Sequence, residues 1–393
     1  VSHWTILYLK VGRTSHHALN KLHVCRTHSL QLNTGWEYAS MGSMLGGLAD
    51  ISVSDLGASV VRSLIEKTGL TNDGIDELLM GCVLSAGVGQ APARQAALAA
   101  GLSLDTSCVT IQKVCGSGMK SVMFGCNSIL SGQTKTVIAG GMESMSTIPF
   151  LLPDYRRGYR LGHKEVLDGN YQDGFTCGIL NEPMGMTAEY LVDEYKLTRQ
   201  SQDEYALESH RRGENAQREG RFAAEITPVT VKQRKVEVVV EADEHVRPGV
   251  TLADLQRLPP VFRRENGTVH AGNSSGITDG GSALVLMPES EVTRRGLTPL
   301  AWLGASATAG VSPRIMGIGP VPAIKKLCER AGRKVDDFDL YELNEAFAAQ
   351  MLACLHDVPL DRDKLNVNGG AIALGPPQSA ARPQRRVHAS NTS

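Results

Sequence analysis

Two stretches of this chain carry nearly the same message, and that repetition constrains the fold more than any other feature. Residues 64–76, LIEKTGLTNDGID, align without gaps on residues 327–339, LCERAGRKVDDFD, matching Leu64 with Leu327, Glu66 with Glu329, Gly69 with Gly332, Asp73 with Asp336 and Asp76 with Asp339. Each copy reads as the end of a helix, a glycine stop, an acidic turn and the start of a strand, so a duplicated α/β half is expected. In the first copy the helix is expected to start near Ser54 as its cap, with Leu56, Val60, Leu64 and Ile65 at helical spacing. Apolar runs at 78–84, 109–114 and 137–139, bounded by glycine-rich turns, read as buried strands. Helices alternating with such strands predict α/β layers.

Between the copies, residues 151–270 change character. The part around 155–175 is rich in Gly, Tyr and charge, and Ser201 with Glu204 reads as a capping box opening a polar helix that runs to about Arg218. An insertion forming a surface lobe is expected, and such insertions over a rigid core commonly supply substrate contacts. Lys plus Arg at 40 nearly cancels Asp plus Glu at 41, which argues against a nucleic-acid partner. No apolar run approaches the roughly 18 residues of a membrane span. The eight cysteines include no CxxC pair and the histidines do not cluster, so neither a metal site nor a disulfide framework is expected. A reducing compartment fits. The first 36 residues hold Lys10, Arg13, Lys21 and Arg26 and no acidic residue, as a transit peptide would, but begin at Val and lack an amphipathic period. The expected location is cytoplasmic, with mitochondrial as the alternative.

Cys115 lies in VTIQKVCGSGMKSV, at the end of an apolar strand and the start of a helix whose expected buried stripe is Met119, Val122, Met123, Cys126 and Leu130. A thiol at a helix N-terminus meets free backbone N–H groups that favour thiolate, and Gly116 and Gly118 permit close approach of a substrate. That placement suits a nucleophile, while a plain buried thiol is the alternative on these residues alone.

Further strings follow in order: GGMESMS at 140–146, MGMTAE at 184–189, AGNSSGITDG at 271–280, NEAFAAQ at 344–350 and VNGGAIALG at 367–375. Together with VCGSGMKSV they resemble the thiolase family from about Gly42 to Gly375. The resemblance implies a five-layered fold of two repeated βαβαβαββ halves with an inserted loop domain, assembled as a homodimer or homotetramer. It implies domains at 41–150 with 271–290 (N-terminal half), 151–270 (loop domain) and 291–375 (truncated C-terminal half), between an atypical segment 1–40 and a divergent tail 376–393.

The activity implied is reversible condensation of two acetyl-CoA to acetoacetyl-CoA and CoA. Coenzyme A thioesters are the substrates, and neither a cofactor nor a metal is expected. Cys115 would carry the acyl group, and Asn344 would orient a water against the thioester oxygen of the attacking acyl-CoA. Ala271, Ser274 and Ser275 would contact the pantetheine arm, with Met184 and Arg247 lining the CoA site. Position 183 is Pro where many relatives have His. The family also places a His after GGAIALG and a second Cys later, whereas here Pro376 follows Gly375 and no Cys follows Cys354. Impaired turnover is therefore expected. The alternatives are a longer-chain 3-ketoacyl-CoA thiolase and a non-catalytic acyl-CoA-binding protein.

Overall fold

The computed structural model describes residues 3–11, 30–233 and 236–375. Its strands are β1 (His3–Val11), β2 (Leu30–Ala39), β3 (Glu77–Gly81), β4 (Ser107–Ile111), β5 (Val137–Glu143), β6 (Thr278–Pro288) and β7 (Ala301–Gly310). They form one nine-stranded sheet in the order β1-β7-β2-β6-β5-β3-β4, with Ile226–Thr227 adding to β2 and Gly42–Ser43 to β6. β3 runs parallel to β4 and β5, while β6 is antiparallel to β5 and β2.

Alternation along the strands explains why both faces are covered. Leu78, Met80, Ile138, Ala283, Val285 and Met287 point to one face, where they meet helices α1 (Val53–Thr68) and α2 (Pro92–Ala99). Leu79, Val137, Ala139, Leu284 and Leu286 point to the other, against α3 (Ser117–Leu130). A period of two with both sets apolar is the mark of a sheet buried between helical layers. Leu56, Val60 and Leu64 on α1 are fully buried, each contributing about 1.5–3 kcal/mol.

The helix of the first repeat starts two residues earlier than its sequence suggests. Its cap is Ser52, not Ser54: Ser52 Oγ accepts the Asp55 N–H at 3.1 Å, while Ser54 is buried. Ser52→Ala should lower stability by about 1 kcal/mol, seen as a lower urea midpoint with unchanged slope. An unmoved midpoint would show that the cap contributes nothing. The helix ends at Gly69 in the left-handed region with φ 66°, followed by a 3-10 turn at Asn72–Gly74. The second copy repeats this: α6 (Pro320–Ala331) stops at Gly332 with φ 60°, and a 3-10 turn follows at Val335–Asp337. There the likeness ends, because the chain continues without a strand, carrying only the isolated bridges Tyr341 to Leu365 and Phe347 to Ser274. The second half thus contributes β7 to the shared sheet, beside strands drawn from residues 1–40.

The inserted region is more than a surface lobe. Helices α4 (Met184–Tyr195) and α5 (Arg199–Arg218) bury Leu191, Tyr205 and Ala206 with Met351 and Cys354 of α7 (Ala348–Asp357) and with Ile372. The expected capping box is replaced: Thr198 Oγ1 accepts the Ser201 N–H at 3.0 Å, and Glu204 accepts from Gln200 at 2.8 Å. A helix starting one turn earlier places both Ser201 and Glu204 inside it.

Candidate active site

Cys115 stands where the sequence places it, between β4 and α3, but its setting differs. The expected stripe on α3 is rotated: Ser117, Gly118, Ser121, Val122, Gly125, Cys126 and Ile129 are buried, Met119 and Met123 are half-buried and Leu130 is exposed. Small residues face the sheet because the helix sits almost on its backbone. A Cβ on Gly81 would meet Ser117 Cβ at 2.7 Å, and Ser121 Oγ donates to the Gly140 carbonyl at 2.8 Å. Apolar periodicity alone could not reveal a packing face made of serine and glycine.

The turn into that helix is strained. Val114 has φ 48°, a conformation that a β-branched residue adopts only under compulsion, at a cost on the order of 1–3 kcal/mol. Ser117 supplies the compulsion. Its hydroxyl donates to the Val114 carbonyl at 2.6 Å and accepts the Lys113 N–H at 2.7 Å, while its own N–H also donates to Val114 O at 3.0 Å. Strain of this kind gathers at functional sites.

The expected lowering of the thiol pKa does not occur. Cys115 is open to solvent on one side, yet the protein packed around it strips hydration from a thiolate and pushes the thiol up to about 11. A backbone N–H bond lowers it less than burial raises it, and the Glu143 charge adds to the rise. Glu143 is itself buried, accepting the Val83 and Leu84 N–H groups at 3.0 and 2.9 Å. Lys113 is pushed down to about 8 by burial and then by Lys120. Desolvation therefore outweighs the helix terminus here, and the thiol needs a base to become a nucleophile.

The remaining candidates gather around one loop. The Ser275 N–H donates to the Ala346 carbonyl at 3.0 Å and Ser274 bridges Phe347, so the loop at 271–275 lies along the segment that carries Asn344. Met184 and Ala346 both pack against the apolar cluster that contains Phe347. Arg247 is exposed; burial lowers the pKa of His210 and of His245, and the Arg247 charge adds to both shifts. Asn344 is half-buried, and its side chain has no hydrogen-bond partner among the described residues. Cys115 makes no hydrogen bond to these six, again among the described residues. Ile277, two residues beyond Ser275, packs against the apolar cluster that includes Val83 and Leu84, the residues whose N–H groups hold Glu143. Pro376 and the tail 376–393 lie outside the described residues.

Several supporting residues escaped the sequence reading. Buried Glu345 accepts from Tyr205 Oη at 3.0 Å, Ser209 Oγ at 2.6 Å, Asn366 Nδ2 at 3.0 Å and the Ile372 N–H at 3.2 Å, which fixes the segment next to Asn344. The His245 ring lies between Gly276 and Gly375, where any Cβ would come within 2.4 and 2.5 Å of it, and its Nε2 is 2.8 Å from Thr278 Oγ1. Burial lowers its pKa, opposed by backbone carbonyls of Gly42 and Ile277. The one available signal was the run Asp243, Glu244, His245, whose members each bind a different strand or loop.

An open thiol on a strained strand-to-helix turn lies over a sheet covered by helices on both faces, which places the protein in the α/β class. The chain belongs to the thiolase family: residues 37–290 match the thiolase N-terminal domain and residues 297–389 the thiolase C-terminal domain. It is 48% identical to the acetyl-CoA acetyltransferase of Escherichia coli over 87% of each chain. Identity is 46% to the acetyl-CoA acetyltransferase of Cupriavidus necator, covering 87% of each, and 44% to a probable acetyl-CoA acyltransferase of Staphylococcus epidermidis, covering 87% of this chain and 86% of that protein. The crystal structure of the Bacillus anthracis acetyl-CoA acetyltransferase superposes with a TM-score of 0.87 at 40% identity, over 89% of this chain and 88% of that one. The fold is that of a thiolase.

Proposed function

We propose that the chain is an acetyl-CoA C-acetyltransferase working through Cys115. The observation that carries this reading is the forced conformation of Val114, which aims the following thiol out of the turn. Sγ attacks the thioester carbon of one acetyl-CoA, the carbon–sulfur bond to CoA breaks, and CoA leaves as a thiol with the proton that Cys115 gave up. A second acetyl-CoA gives up an α-proton to a base, its carbanion attacks the acetyl carbon, the bond to Sγ breaks to release acetoacetyl-CoA, and the proton returns to Sγ to restore the thiol. Both steps develop an oxyanion that needs fixed donors. Asn344, whose amide is unengaged among the described residues, suits that task through a water, and Ser274, Ser275, Ala271, Met184 and Arg247 suit the CoA arm.

Acetyl specificity is supported by the names of the relatives, and a longer acyl chain remains the second reading because one relative is named only an acyltransferase. Pairing with a second copy is supported by β4, the last strand of the sheet, where Val109 and, nearby on α3, Phe124 are each 43% exposed beside an open groove of about 410 Å³. A cytoplasmic location is the reading favoured by the bacterial origin of the relatives. No helix among the described residues is long and apolar enough to cross a membrane.

The test is thiolysis of acetoacetyl-CoA and of a long-chain 3-ketoacyl-CoA by this chain and by Pro376→His. Histidine at 376 should speed acetoacetyl-CoA thiolysis by on the order of 10²-fold, the usual worth of an oxyanion donor. Long-chain substrate cleaved in preference would replace the acetyl reading. Binding of acyl-CoA without turnover by either chain would favour the non-catalytic alternative.

A further inference from the structure

We propose that Asp203 and His270 form a positioning pair, in which one buried carboxylate of the inserted region sets the tautomer of a buried imidazole and through it the loop offered to acyl-CoA. The inference rests on reading 271–275 as the substrate loop. Both side chains are fully buried, and His270 Nε2 lies 2.7 Å from Asp203 Oδ1. The other ring nitrogen, Nδ1, faces the Gly272 N–H at 3.1 Å. A backbone N–H only donates, so Nδ1 is bare, and the ring proton sits on Nε2, aimed at the carboxylate.

The rest of the loop is keyed to the same two residues. Asn273 Nδ2 donates to Asp203 Oδ1 at 3.2 Å, and Asn273 Oδ1 accepts the His270 N–H at 2.9 Å. Ser274 Oγ donates to the His270 carbonyl at 2.8 Å. Arg199 Nε, one turn away on α5, donates to the remaining oxygen, Asp203 Oδ2, at 2.8 Å. Burial would raise the Asp203 carboxyl, but the bonds from His270 and Arg199 prevail and hold it below its ordinary range. The carboxylate thus accepts from three side chains, which ties the loop and α5 to one group. Neither residue touches the reacting atoms; they act through the backbone of Gly272 and the side chains of Asn273 and Ser274.

An amide at 203 cannot serve all three donors. If its NH₂ faces the ring, Nε2 must accept, and the ring proton moves to Nδ1, where it opposes the Gly272 N–H. Asp203→Asn should therefore shift the loop while leaving the Val114–Cys115 turn untouched. The measurement is alkylation of Cys115 by iodoacetamide in the full chain, followed by peptide mass spectrometry, with free CoA as protectant. Asp203→Asn should raise the half-protecting CoA concentration about tenfold, in line with the penalty for small misplacement of binding groups. The unprotected alkylation rate should stay the same. Imidazole ¹⁵N shifts should show His270 protonated on Nε2 in the parent chain and altered in the variant. His270→Asn keeps an acceptor near Gly272 but drops the donor to Asp203, and should weaken protection as well. Ser275→Trp, which fills the loop's exit without touching the pair, is the control. If it weakens protection while the folded Asp203 and His270 variants do not, the positioning role is overturned and the substrate loop stands. If all three leave protection unchanged, the loop reading itself falls. Should Asp203→Asn fail to fold, His270→Asn decides alone, and normal protection in it overturns the proposal.

Discussion

Serine in place of Cys115 should eliminate the acyl adduct and lower thiolysis by on the order of 10⁴- to 10⁶-fold, the scale on which loss of a covalent nucleophile is felt. Brief exposure to acetoacetyl-CoA followed by peptide mass spectrometry should locate an acetyl group on Cys115 and nowhere else. An adduct that survives the substitution would remove this residue from the mechanism. The pH dependence follows from the raised thiol. With a pKa of about 11, a fraction near 10⁻⁴ is thiolate at pH 7. Since the folded value is shifted upward, the reactive form is scarce below it and grows about tenfold per pH unit until that value is approached. Alkylation of Cys115 in the absence of substrate should therefore climb through neutrality without levelling off. A plateau beginning below about pH 8 would mean that a base already draws off the proton in the resting protein.

Removing the amide of Asn344 should reduce condensation and thiolysis by on the order of 10²- to 10³-fold while leaving the Cys115 adduct detectable, the loss expected of one oxyanion-stabilising group. The substitution to alanine is a clean one. Asn344 makes no side-chain bond among the described residues, and its segment is fixed by Glu345, whose partners Tyr205, Ser209, Asn366 and Ile372 remain. The melting temperature should hardly change. Full activity in the folded Asn344→Ala variant would show that the water-orienting role belongs elsewhere. A loss of adduct together with activity would place Asn344 in the acylation step instead.

Much of the candidate site was readable because its parts are contiguous. VCGSGMKSV, AGNSSGITDG and NEAFAAQ each carry a candidate residue and the turn that presents it, so local sequence names both. What those strings conceal is how they are held. Asp203 and His270 stand 67 residues apart and share no motif. Glu345 lies inside a recognised string, yet its partners come from α5 and from the segment after α7. The packing face of α3 differs from its apolar stripe for a related reason: close approach to Gly81 and Gly140 selects serine and glycine.

By itself the sequence determined what depends on a few neighbouring residues. The glycine stops at Gly69 and Gly332 follow from the steric freedom of one residue, and the buried strands β3 and β5 follow from unbroken apolar runs, whereas the third expected run forms the edge strand β4, with Val109 exposed. The repeated helix and turn follow from a pattern written twice. Tertiary structure alone decided that residues before 41 supply strands on both sides of β7, and that the second repeat continues without a strand where the first forms β3. It also decided the direction of the thiol at Cys115. Helix propensity and turn chemistry act over a few bonds, but desolvation is the sum over every atom that displaces water, and a buried charge such as Glu143 is felt only once the chain has brought it near.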